Sequence, residues 1–117
     1  MRYNSNMSNK LVLQLIAKRT ILLNELSSLP RILHGSWVER YSVCSRKGCK
    51  CRSGDRHGPR YYVVVNFDGR QRQKYVPNAQ VPAAKDGIEQ YHRLQEIVEE
   101  ITRINLALIK EKAYANS

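Results

Sequence analysis

The side chains best suited to soft-metal chemistry are crowded into one short stretch. Cys44, Cys49 and Cys51, all three cysteines of the chain, and His57, one of its three histidines, lie within fourteen residues. Three thiolates and one imidazole form a Cys3His set that matches the four tetrahedral positions of a structural zinc ion. Gly48, Gly54 and Gly58 supply the backbone freedom that a tight wrap needs. Arg46, Lys47, Lys50, Arg52 and Arg56 stand among the candidate ligands, where positive charge favours thiolate over thiol. The spacing C-x4-C-x-C differs from the C-x2-C of common zinc ribbons, and ordinary reduced cysteines in a basic loop are the competing reading. A redox role is disfavoured, because no C-x-x-C pair occurs and no resolving cysteine lies elsewhere. An odd number of clustered cysteines fits a reducing cytoplasm and not a secreted disulfide framework. His34 and His92 read as surface residues, Trp37 and Tyr41 as core.

The same stretch is strongly basic. In 117 residues, twenty Lys and Arg stand against ten Asp and Glu, a net charge of +10. By segment the net is +3 over residues 1–30, +8 over 31–82 and −1 over 83–117. Charge runs are commonly solvated faces. An excess this local, beside a nearly neutral C-terminal segment, points to a polyanion, with nucleic acid the leading candidate and an acidic protein surface the alternative. The candidate contacts are Arg46, Lys47, Lys50, Arg52, Arg56, Arg70, Arg72 and Lys74 to phosphates, with Tyr62 stacking on a base or sugar. Catalysis is not expected. Residues 31–82 offer only Glu39, Asp55 and Asp68 as carboxylates, and there is neither a phosphate-binding glycine loop nor a nucleophile in a recognised context. The apolar stretch Leu11 to Leu29 is broken by Gln14, Lys18, Arg19, Thr20, Asn24 and Glu25, so it reads as neither signal peptide nor membrane span.

The length suits a single domain over 1–117. Over 8–29, Val12, Leu15, Leu22, Leu26 and Leu29 recur at alternating three and four spacing, with Arg19 the one polar interruption. This predicts an amphipathic helix with Ser8 as N-cap and Pro30 beyond its end. A second, longer helix is predicted over 83–114, with Ile88, Tyr91, Leu94, Val98, Ile101 and Leu108 on one seam and Ile97 and Ile104 widening it. Asn105 falls on that seam, where a polar residue can fix register. A short sheet cannot cover so long a helix, so its far end should meet the N-terminal helix or a second copy of the chain. Strands are predicted at Trp37 to Val43, Tyr61 to Phe67 and Gln71 to Val76 within the segment 31–82. For the connection through Asp68-Gly69, a two-residue type I′ loop would pair Phe67 with Arg70. A type I turn with a G1 bulge puts Asn66 and Gly69 at positions they favour, and is preferred here. That register sets Tyr62 beside Arg70, Arg72 and Lys74 on one face. The expected fold is α+β: a small three-stranded antiparallel sheet with a zinc-type Cys/His loop, flanked by an N-terminal and a long C-terminal helix.

Gly35-Ser36-Trp37, the C-x4-C-x-C spacing, His57-Gly58-Pro59 before Tyr61-Tyr62, Asp68-Gly69 and Tyr75-Val76-Pro77 together resemble a small prokaryotic family of unknown function, over roughly Leu29 to Ile109. Its members share a Gly-Ser strand, this cysteine spacing, an HGP-aromatic motif, a DG turn and a long terminal helix, and are often encoded near transposases or other mobile elements. The chain departs from that pattern at Arg60, where an aromatic residue is common, and at Ser45, where glycine is common; neither is a candidate ligand. The resemblance implies this architecture, and its mobile-element context favours DNA over RNA. The expectation is a nucleic-acid-binding accessory protein, not an enzyme, carrying structural zinc and possessing helices able to form a homodimer. An assembly or adaptor protein that oligomerises through its helices and binds an acidic partner is the alternative.

Overall fold

The computed structural model describes residues 5–42 and 57–117. Its elements are α1 (Ser5–Leu26), β1 (Ser36–Ser42), β2 (His57–Phe67), β3 (Arg70–Val76), a 3-10 turn (Asn78–Gln80) and α2 (Val81–Lys110). The fold is α+β, with an antiparallel sheet in the order β1-β2-β3. Helix α1 starts before Ser8, which is therefore no N-cap; its hydroxyl instead donates to the Glu111 carboxylate at 3.2 Å. After Leu26 the chain tightens through bonds from Ser27, Ser28 and Leu29 to the carbonyls of Asn24, Glu25 and Leu26, and Pro30 follows. Pro82 lies in the first turn of α2, where a missing N–H costs little. At 30 residues α2 is about 45 Å long. No helix among the described residues is long and apolar enough to cross a membrane.

The chain divides into two compact units, Met1–Pro30 with His92–Ser117, and Arg31–Tyr91. In the first, α1 runs antiparallel to the later part of α2. Leu22, Ile97, Ile104 and Leu108 are buried between them, flanked by Val12, Leu15, Leu26, Leu29 and Ile101. The α1 seam is the expected one. That of α2 keeps Ile101 and Leu108 as expected, but Ile97 and Ile104, expected only at its margin, join Leu108 at its centre, while Val98 is 54% exposed. A stripe this wide does not reveal which edge faces the partner; α1 decides it. The two polar residues in the seams meet, Arg19 Nη1 donating to Asn105 Oδ1 at 2.8 Å and to Ser117 Oγ at 3.0 Å. Nearer the other end, Arg93 clasps Glu25 through Nε at 2.5 Å and Nη2 at 2.7 Å. That hydrogen bonding holds the Glu25 carboxyl below its usual range and raises the Arg93 guanidinium further above its own.

In the second unit the segment entering β1 lies along the start of α2. Leu33 N–H donates to the Gly87 carbonyl at 3.0 Å, and Arg31 N–H to Gln90 Oε1 at 2.7 Å. Arg31 also pairs with Asp86 at 3.2 Å, and the exposed His34 ring stacks on Tyr91 with centroids 4.0 Å apart. A Cβ on Gly87 would stand 2.2 Å from the Arg31 carbonyl oxygen, so the approach requires glycine. Val63 and Val76 are buried on the same side of the sheet. Trp37 is half-buried there, stacked on Tyr61 and under the Lys85 ammonium, its Nε1 without a hydrogen-bond partner among the described residues. Tyr41, expected in the core, is instead exposed where the β1-β2 ladder shifts register.

The β2-β3 turn overturns the bulged register. Asp68 and Gly69 both have positive φ, 51° and 76°, as a two-residue type I′ turn demands, and Phe67 pairs with Arg70. This turn suits the right-handed twist of the strands, which outweighs the local preferences of Asn66 and Gly69 for a longer loop.

Candidate nucleic-acid interface

A shift of one residue moves every side chain of a strand to the opposite face. With Val65 opposite Arg72 and Val63 opposite Lys74, the column Arg70, Arg72 and Lys74 shares the face of Val63, Val65 and Phe67. Tyr62 lies on the other face, against Tyr75. The predicted association of Tyr62 with the three cations on one face is thus corrected. Arg72 and Lys74 instead border an open concavity of about 570 Å³ whose apolar lining includes Leu33, Val63, Val65, Phe67 and Ala84. All three cations are exposed and sit on an edge strand, where charge also discourages pairing with another sheet.

The Tyr62 face has a chemistry of its own. Val38, Tyr62 and Tyr75 stand opposite one another across the strands, and the two tyrosine rings meet edge to face at 5.7 Å. Arg40 lies 5.4 Å above the Tyr62 ring and donates to Gln73 Oε1. Arg60 pairs with Arg40 across β1 and β2 and is exposed, as are Gln71 and Gln73. The ion pairs among the described residues are Arg31–Asp86, Arg93–Glu25, Arg93–Glu96 and Arg103–Glu99, so none engages a sheet cation. Arg40, Arg60, Gln73 and Tyr75 went unnamed as contacts in the sequence; the type I′ pairing of Asp68-Gly69 was the signal that would have gathered the last two beside Tyr62.

Cys44, Cys49, Cys51, Arg46, Lys47, Lys50, Arg52 and Arg56 fall outside the described residues. His57 opens β2 and pairs with Ser42, so the chain leaves and rejoins the sheet at facing positions. Among the described residues no group of three or more His, Cys, Asp or Glu side chains is placed to hold a metal ion.

Helix, three-stranded antiparallel meander and long helix define a small α+β protein with a basic sheet. The chain belongs to the DUF6788 family, a domain of unknown function, which matches residues 13–86. The matched region takes in most of α1 along with the whole sheet and stops early in α2, so it reaches further toward the N-terminus than the motifs alone indicated. No curated protein and no solved structure matches the chain.

Proposed function

We propose that this is a non-enzymatic, cytoplasmic nucleic-acid-binding accessory protein. DNA is favoured over RNA through the resemblance to proteins encoded near mobile elements. The observation that carries the reading is the concentration of the chain's excess charge in residues 31–82, whose described sheet cations Arg40, Arg60, Arg70, Arg72 and Lys74 are exposed and paired to no carboxylate among the described residues. Such cations bind phosphates and release counterions, so log K should fall linearly with log salt concentration. Fluorescence anisotropy with labelled oligonucleotides across a salt series tests this. Replacing Arg70, Arg72 and Lys74 together with Ala should flatten the slope by about two units if all three touch phosphate. No binding even at about 50 mM salt would end the reading.

Cys44, Cys49, Cys51 and His57 are proposed to hold one structural zinc ion. The Ser42–His57 pairing supports this, since Cys44 follows Ser42 by two residues and His57 is the residue opposite Ser42. Metal analysis of the purified chain should find zinc at one equivalent, lost in Cys49→Ser; its absence from the native chain refutes the site.

A second reading, an assembly or adaptor protein, has its own support. The concavity bordered by Arg72 and Lys74 suits an acidic segment with apolar residues. In the helical unit, moreover, a further seam lies one residue beyond the buried one, marked by the exposed Leu13, Thr20 and Leu23 on α1 and Val98, Thr102 and Ile109 on α2. In an antiparallel pair, that one-residue step turns both helices' seams toward the same side, which is the surface a second copy would cover. An adaptor would show little affinity for oligonucleotides at physiological salt.

A further inference from the structure

Resting on the nucleic-acid reading, we infer that the sheet face bearing Tyr62 and Tyr75 binds single-stranded nucleic acid by stacking bases on its rings. The other face is the one that packs on the segment before β1 and on α2, so the two tyrosines contribute nothing to that apolar layer. Tyr75 is 51% exposed even with its edge-to-face contact to Tyr62. A phenol held outward on an edge strand offers a π-surface that any base can cover. Arg40 and Arg60 supply positive charge beside the rings, and the paired positions on this face include no Asp or Glu. Gln71 and Gln73, alternating with the cations of β3, present amides that both donate and accept toward base edges.

The geometry favours a single strand over a duplex. Bases within a duplex are already stacked on one another, and rings lying on the face of a sheet meet bases only where these are splayed out. Stacking also differs from phosphate contact in a measurable way, since it displaces no counterions and leaves the salt slope unchanged.

The test uses the full chain and one labelled mixed-sequence oligonucleotide, presented as a single strand and as a duplex. The native chain should prefer the single strand. Tyr75→Ala should weaken single-strand binding by about ten-fold at an unchanged salt slope, while Tyr75→Phe binds as the native chain does. Tyr75→Leu, which keeps apolar bulk on the strand, should lose as much as Tyr75→Ala and guards against a folding defect in the smaller variant. If the native chain binds but the Ala and Leu variants match it, or if the duplex binds as tightly as the single strand, the stacking inference is overturned and the nucleic-acid reading survives. If neither oligonucleotide binds at low salt, both fall.

Discussion

Gly87 sits within a helix, where replacing glycine by alanine ordinarily stabilises by about 1 kcal/mol. Here the added Cβ would press on the Arg31 carbonyl oxygen, a backbone atom that cannot swing aside as the neighbouring Leu33 side chain can. The steric effect wins, and Gly87→Ala should lower stability by about 1–3 kcal/mol, read as a lower urea midpoint. A midpoint that rises would show that the two segments do not approach so closely. Glu25 makes a different kind of residue-scale prediction. Its folded pKa is depressed by Arg93, so the contribution of the ionised carboxylate is fully present above the unfolded glutamate value near ~4.3 and is lost as pH falls through the lower folded value. Thermal melts should therefore fall across that acidic window in the native chain, and less steeply in Glu25→Gln. Equal slopes would mean that the ion pair adds nothing in solution.

Between elements, the Arg19–Asn105 bond ties α1 to α2 at a point where each seam would otherwise be apolar. Removing one partner leaves the other short of a hydrogen bond in a half-buried seam, so Arg19→Leu alone should cost about 1–3 kcal/mol. The double replacement with Asn105→Leu should recover much of that loss, giving a coupling energy of at least ~0.5 kcal/mol in a double-mutant cycle. Additive effects would show that the two side chains act independently. Both residues were legible as polar breaks in apolar periodicity, and so were the helices and the three strands, because those signals are local. What local pattern could not supply was the choice between near-equal alternatives. Val98 and Ile97 fit one broad stripe equally well, and only the helix opposite selects between them. Asn66 and Gly69 satisfied one turn while Asp68-Gly69 satisfied another, and the strand pairing made the choice. That one-residue shift carried Arg70, Arg72 and Lys74 away from Tyr62, so the exposed cations were legible in the sequence while their grouping with Tyr62 was wrong. Gly87 left a fainter trace, an isolated glycine in a helical pattern, which marks close approach without naming what approaches.

At the scale of the whole molecule the question is whether one copy suffices. A pair of helices buries one stripe apiece where the two meet, and the largest fully enclosed side chains among the described residues are Ile97 and Leu108. Beside that stripe Leu13, Leu23, Val98 and Ile109 remain between 48% and 67% exposed. The second seam spans about three turns of each helix, roughly 15 Å by the helical rise, which is short for a permanent interface. A weak dimer in the micromolar range is therefore expected, with a melting temperature that rises with protein concentration because only the folded state associates. Leu23→Glu combined with Val98→Glu places charge on side chains already half in water, so the protomer should stay folded while the dimer dissociates. Light scattering should then report a monomer at every concentration, and the concentration dependence of melting should vanish. A native chain already monomeric at high micromolar concentration would remove the dimer and leave the hairpin of α1 and α2 intact.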